Sequence, residues 1–362
     1  MARQVGRGLL AACVVLVAAV AACARATEAL APATPAASFA NDAASDARDA
    51  APAPSSPDAP AAQVADEPSL PVAAPAITVV TAHRLLFVDG DTVTPSCPAG
   101  SRTDQIHCLL ALRYAADARA AELATSLFDA TGDVAGVLPA ETMEGGFRGR
   151  LRLVPELPVA KRRGHLEWVV AAATDFDDFF HRLDLPDASA RAVAYRWRAL
   201  GFRFMRSVGR TTPSAYASQW MVAYNVDGSL NRSAAAVREL LFHEIFHLND
   251  AAHADWSTRA LRLVFDGIVA RCHATTACLA PYAPTSTTVR GGTYYAFQPD
   301  NGDAVREYAA ELALRYYQEQ RALLRGEPPL PRFKCGPPEN ARAWGLLVDE
   351  FFGGVDRTAA CP

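Results

Sequence analysis

The sequence predicts an α+β fold, with a small mixed sheet and a largely helical C-terminal half. Short runs rich in β-branched and aromatic residues occur at 77–88, 151–154 and 216–226, and all precede residue 230. Segments with alanine and leucine at helical spacing, without internal Gly or Pro, occur at 108–131 and 233–248. The hydrophobic fraction of 51% over 362 residues is enough for a real core, although alanine-rich tracts inflate it. No Lys- or Arg-rich block accompanies the net charge of -4, so nucleic-acid binding has no electrostatic support.

The N-terminus reads as an export signal, with Arg3 and Arg7 before a short apolar run from Leu9 to Ala22. That run is shorter than the roughly 20 apolar residues a membrane-spanning helix needs. It ends in Val20-Ala21-Ala22-Cys23, which resembles a bacterial lipoprotein box. The resemblance implies removal of residues 1–22, a lipid on Cys23 that anchors the chain to a membrane, and, with Ala24 next, the outer membrane. Residues 23–75 are mostly Ala, Pro, Asp and Ser and are expected to form a disordered tether. A flexible coil of that length spans on the order of 40 Å. Beyond Cys13 and Cys23, six cysteines remain, an even number suited to structural bridges in an oxidising compartment. Sequence-local pairing (97 with 108, 272 with 278, 335 with 361) is the simplest of the 15 arrangements that six cysteines allow.

The folded part is expected over 76–362, as an α+β part to about residue 210 and a site-bearing part beyond it. Ile77–Val88 reads as a strand closed by Asp89-Gly90. Cys108–Thr131 reads as a helix stopped by Gly132, Leu151–Val154 as a strand, and Leu166–Ala173 as a strand or helix. Phe176–Leu183 and Ala188–Leu200 are expected to be helical. Tyr216–Val226 alternates large and small residues up to Asp227-Gly228, the period of a half-buried strand.

Ser233–Leu248, SAAAVRELLFHEIFHL, is the most informative segment. His243 and His247 are four apart, so both imidazoles leave one face of the helix and can meet at one metal ion. Glu244 between them can reach a water on that ion without becoming a ligand, which is the H-E-x-x-H arrangement. Leu240, Leu241, Phe242, Ile245, Phe246 and Leu248 make the helix apolar on nearly every side. A buried Glu flanked by two His is costly without polar partners, and a metal ion supplies them.

Two residues compete as third ligand. His253, in His-Glu-x-x-His-x-x-Asp-x-x-His, resembles the metzincin spacing, with Asp250 where glycine is usual; the methionine turn of that group is missing, Met221 being the last methionine. Glu307, in Glu307-Tyr308-Ala309-Ala310-Glu311, gives the second resemblance: gluzincins, most closely the catalytic domain of anthrax lethal-factor-type proteases. That resemblance spans about residues 235–315. It implies a zincin-like metalloprotease fold and a peptide or protein substrate, with Zn2+ held by His243, His247 and Glu307. It further implies Glu244 as general base, Glu311 as the acceptor for a ligand histidine's free N–H, and Tyr295 or its neighbour Tyr294 as oxyanion donor. Two other functions remain open on the sequence, an amidase of the cell envelope using the same site and a non-catalytic envelope lipoprotein. His83, His107, His165, His181 and His273 have no motif context.

Overall fold

The computed structural model describes residues 76–88, 96–144, 149–183, 193–289, 292–298 and 303–362. The export signal, Cys23, the tether and Asp89-Gly90 lie outside them. The described residues form an α+β structure, with a mixed sheet curled against helices.

The first element is α1 (Val79–Leu86), a helix where a strand was expected. Thr78 caps it, its side-chain oxygen accepting from the Thr81 N–H at 3.1 Å. Ala82, Leu85 and Leu86 bury one helical face, and the β-branched residues that suggested a strand occupy its first turn. The single helix expected at 108–131 is two, α2 (Arg102–Arg113) and α3 (Ala118–Thr131). The break comes where Asp117 caps α3, its carboxylate accepting from the Ala120 N–H at 3.1 Å. Gly132 ends α3 in the left-handed region (φ 75), as its position predicted. β1 (Val134–Val137), β2 (Glu141–Glu144) and β3 (Arg150–Pro155) follow, the last covering the expected strand at 151–154. Both 166–173 and 176–183 belong to one helix, α4 (Arg163–Leu183). Of the helix expected over 188–200, the described residues from 193 onward are irregular chain.

β4 (Gly201–Ser207) is the centre of the sheet. It pairs in parallel with β1 along Gly201–Phe204 and antiparallel with β3 along Met205–Ser207, so two strands share one of its edges. The expected strand at 216–226 is a hairpin of β5 (Ala215–Ser218) and β6 (Met221–Asn225), joined through Gln219 and Trp220 at φ 51 and 62. Tyr216 pairs with Ala223, so Tyr216 and Tyr224 face opposite sides, and the apparent alternation had merged two strands of opposite phase. β6 runs parallel to β4, which leaves β5 at the sheet edge. Phe202, Phe204, Val222 and Tyr224 join the main core, whereas Leu138, Leu151, Leu153 and Met205 form a smaller cluster on the other side.

The helical half begins with α5 (Ala234–Ala252), followed by α6 (Trp256–Ala260), α7 (Arg262–Cys272), α8 (Thr276–Leu279), α9 (Ala304–Leu324) and α10 (Pro338–Phe351). α5 packs between α4, α9 and β5, which is why it is apolar on nearly every side. Disulfides join Cys97–Cys108, Cys272–Cys278 and Cys335–Cys361, the sequence-local pairing, and suggest a non-cytoplasmic protein. No helix among the described residues is long and apolar enough to cross a membrane.

Candidate metal centre

Helix α5 starts at a Ser233 cap, whose Oγ accepts from the Ala236 N–H at 3.2 Å, and runs unbroken past His247. Its neighbour α9 is locked against it by aromatic packing. The Phe242 ring stacks on Tyr317 with centroids 4.3 Å apart and on Tyr195 at 5.1 Å. With Phe242 fixed on that side, the next residue, His243, points to the first turns of α9, where Glu307 and Glu311 share a face one turn apart.

The result is a tight, buried convergence. His243 Nε2 lies 3.1 Å from His247 Nε2 and 3.1 Å from Glu307 Oε2, and His247 Nε2 lies 3.4 Å from the same oxygen. His243 Nδ1 stands 2.9 Å from Glu311 Oε1. With its hydrogen on Nδ1 and donated to Glu311, His243 turns an Nε2 lone pair toward a second imidazole and a carboxylate. Three lone-pair-bearing atoms crowded together repel one another unless a cation sits among them. Ligands about 2.0–2.1 Å from a tetrahedral ion are separated from each other by about 3.3 Å, close to the spacings here. His243, His247 and Glu307 are thus a group that can hold a metal ion.

The electrostatics point the same way. Burial pushes the His243 imidazole down, but the carboxylates of Glu307 and Glu311 outweigh it and lift its pKa to about 10. Burial pushes Glu307 up, yet the His247 and His243 imidazoles hold it well below the usual carboxylate range. The site therefore favours one positive charge, which a proton supplies where no metal is bound.

Glu244 is fully buried on α5 beside His243, and its carboxylate is close enough to raise the Tyr295 phenol. Tyr295, also fully buried, places its ring 5.9 Å from that of His243 and hydrogen-bonds Glu307. Burial, together with Glu307 and Glu244, pushes its pKa well above that of a free phenol, so it stays a proton donor. Tyr294 is only half-buried and forms the extended cap of the short 3-10 turn that carries Tyr295.

His253 is elsewhere. α5 continues through Ala252, so Asp250 stays helical, its carboxylate accepting from the Ser257 N–H and hydroxyl, each at 2.7 Å. The chain turns left-handed only at Ala254 and Asp255, and His253 Nδ1 pairs with Glu350 Oε1 at 2.6 Å. One contributor had no signal in the sequence: Thr285 donates its hydroxyl hydrogen to Glu311 Oε2. It sits in a Thr- and Ser-rich run whose partner is 26 residues away, and no local spacing marks such a contact. The chain matches no family model, no curated protein and no solved structure.

Proposed function

We propose that this chain is a zinc-dependent hydrolase that cleaves peptide bonds in peptides or proteins outside the cytoplasm. The observation that carries it is a buried carboxylate, Glu244, kept beside three convergent metal-binding atoms. A purely structural metal site has no use for that additional carboxylate, and burying it is costly. Two nitrogens and one carboxylate oxygen match the donor set of catalytic zinc sites, which use three protein ligands and leave one position open. The local arrangement of β5 at the sheet edge, α5 beside it and α9 supplying a glutamate is consistent with a zincin-like fold.

Bound zinc supplies Lewis-acid polarisation of a carbonyl and lowers the pKa of water to about 7. The residues divide the remaining work. Glu244 takes a proton from the attacking water and returns it to the leaving amine, as base and then acid. Tyr295, held protonated, donates its O–H toward the oxygen on which negative charge develops. Glu311, braced by Thr285, holds His243 in the tautomer that keeps Nε2 free for the ion. An extended peptide can add to the edge of β5 and so lie along α5.

Incubating the full chain, with and without added zinc, with a fluorogenic peptide library tests this function. Zinc-dependent cleavage is expected, reduced at least about 100-fold in Glu244→Gln with metal content retained. Equal rates in the two proteins would refute the role of Glu244. Absence of cleavage beside turnover of envelope amides would favour the amidase, and inertness of both proteins toward every substrate the non-catalytic alternative.

A further inference from the structure

Next to the metal centre lies a cavity of about 370 Å³, at the lower end of ligand-pocket sizes. Glu239 of α5, one turn before His243 and so about 6 Å along the helix axis, contributes to its wall. Thr285, which holds Glu311, contributes from the opposite segment, as does Thr287, whose carbonyl accepts the Tyr295 N–H at 2.9 Å. The cavity thus shares its walls with the groups that position the metal ligands and Tyr295.

Its place relative to the sheet edge is defined as well. Leu230, another wall residue, gives its N–H to Ser214 Oγ at 3.2 Å, immediately before β5 begins at Ala215. A peptide paired antiparallel to β5 travels from the Ser218 end toward Ala215. Its residues beyond the scissile bond, on the C-terminal side, are the ones that arrive at the cavity.

The charged residues of the wall are Glu239, Arg315 and Arg232. Glu239 is half-buried and hydrogen-bonded by Gln318; burial and the Glu311 carboxylate raise its pKa, opposed by the Gln318 bond and by Arg238 and Arg321, two guanidinium groups that are themselves paired with Asp175. Arg315 does not offset it, because its Nε is given to Glu319 at 2.7 Å and its Nη2 to the Pro331 carbonyl. Arg232 is exposed at the rim. Leu230 and Leu314 offer apolar wall to a methylene stem, and the threonine hydroxyls offer acceptors.

We propose that this cavity is the substrate side-chain subsite just C-terminal of the scissile bond, and that Glu239 makes it select lysine or arginine. The proposal rests on the peptidase function above. A basic head group would pair with Glu239 and offset the like charge that its carboxylate feels from Glu311 in a partly desolvated space.

The test compares wild type, Glu239→Gln, Glu239→Asp and Glu239→Lys, all full-length and zinc-loaded, on fluorogenic peptides differing only in the residue after the cleaved bond. Wild type should cleave the Lys and Arg peptides about 10- to 100-fold faster in kcat/KM than the Glu peptide, the range expected for a charge-assisted hydrogen bond. Glu239→Gln should remove that advantage, bringing the Lys, Arg and Glu peptides to similar rates. Glu239→Asp should retain part of it, and Glu239→Lys should favour the Glu peptide. Equal preference in wild type, a preference for acidic peptides, or a uniform loss in Glu239→Gln would overturn the subsite. Binding of Nα-acetylarginine methylamide, followed by NMR, separates the two failures. Binding weakened at least 10-fold by Glu239→Gln with no peptide cleaved would retain the subsite and overturn the peptidase function. No binding and no cleavage would overturn both.

Discussion

At the scale of single residues, the His243–His247 pair was legible because its geometry is local: a four-residue spacing on a helix decides it. Glu307 was legible only as the better of two third-ligand choices, since its contact with His243 spans 64 residues. Thr285 and Glu239 were not legible, because a threonine and a surface-spaced glutamate gain meaning only once α5 and α9 are docked. Glu311 should tune the ion without touching it. Glu311→Gln is expected to weaken zinc affinity about 10- to 100-fold in a competition titration with a chelator, and an unchanged affinity would contradict its role in fixing His243. A second residue makes a prediction remote from the site. Asp133, fully buried, accepts the Leu200 N–H at 2.7 Å, and burial, partly opposed by that bond, raises its pKa from 3.8 to about 7. The folded state then holds its proton more tightly than the unfolded chain, so its contribution is intact below about pH 4 and is lost as pH rises toward 7. The gap between the two values corresponds to roughly 4 kcal/mol. Asp133→Asn should therefore raise Tm at pH 8 relative to wild type, with the difference vanishing near pH 4.

At the scale of elements, periodicity was reliable where burial is one-sided and misleading where it is not. α5 followed from its cap and uninterrupted helix-compatible run, whereas α1 was mistaken for a strand because Ile77, Val79 and Val80 precede its apolar face. The β5–β6 hairpin was hidden by a turn containing neither Gly nor Asn, with Gln219 and Trp220 in the left-handed region instead; the Trp220 ring lies under the Arg196 guanidinium at 4.0 Å. The cap of α5, Ser233, is exposed and nearly three turns before His243, so it separates helix stability from metal binding. Ser233→Ala is expected to cost about 1 kcal/mol in urea unfolding and to leave zinc affinity unchanged. Loss of affinity in that variant would mean that the start of α5 is coupled to the ligands.

For the whole molecule, three disulfides brace the described residues at the periphery of the helices rather than at the metal centre. The Cys335–Cys361 bridge spans 26 residues and ties the end of the chain back before α10, while Cys272–Cys278 spans only 6. Loop-closure entropy then ranks their removal, about 3.5 kcal/mol for the first and about 2 kcal/mol for the second, measurable as the loss of unfolding free energy in paired Cys→Ser variants. The α+β class was readable from composition and spacing. The sheet order was not, because it depends on which strands share an edge of β4. What the fold accomplishes is to bring α5 and α9 together so that atoms from both meet at one point. Metal content of the full chain and of His243→Ala, Glu307→Ala and His253→Ala, measured after dialysis against zinc-free buffer, tests that convergence directly. One zinc per chain should remain in wild type and in His253→Ala and be lost from His243→Ala and Glu307→Ala; zinc retained by Glu307→Ala and lost from His253→Ala would contradict it.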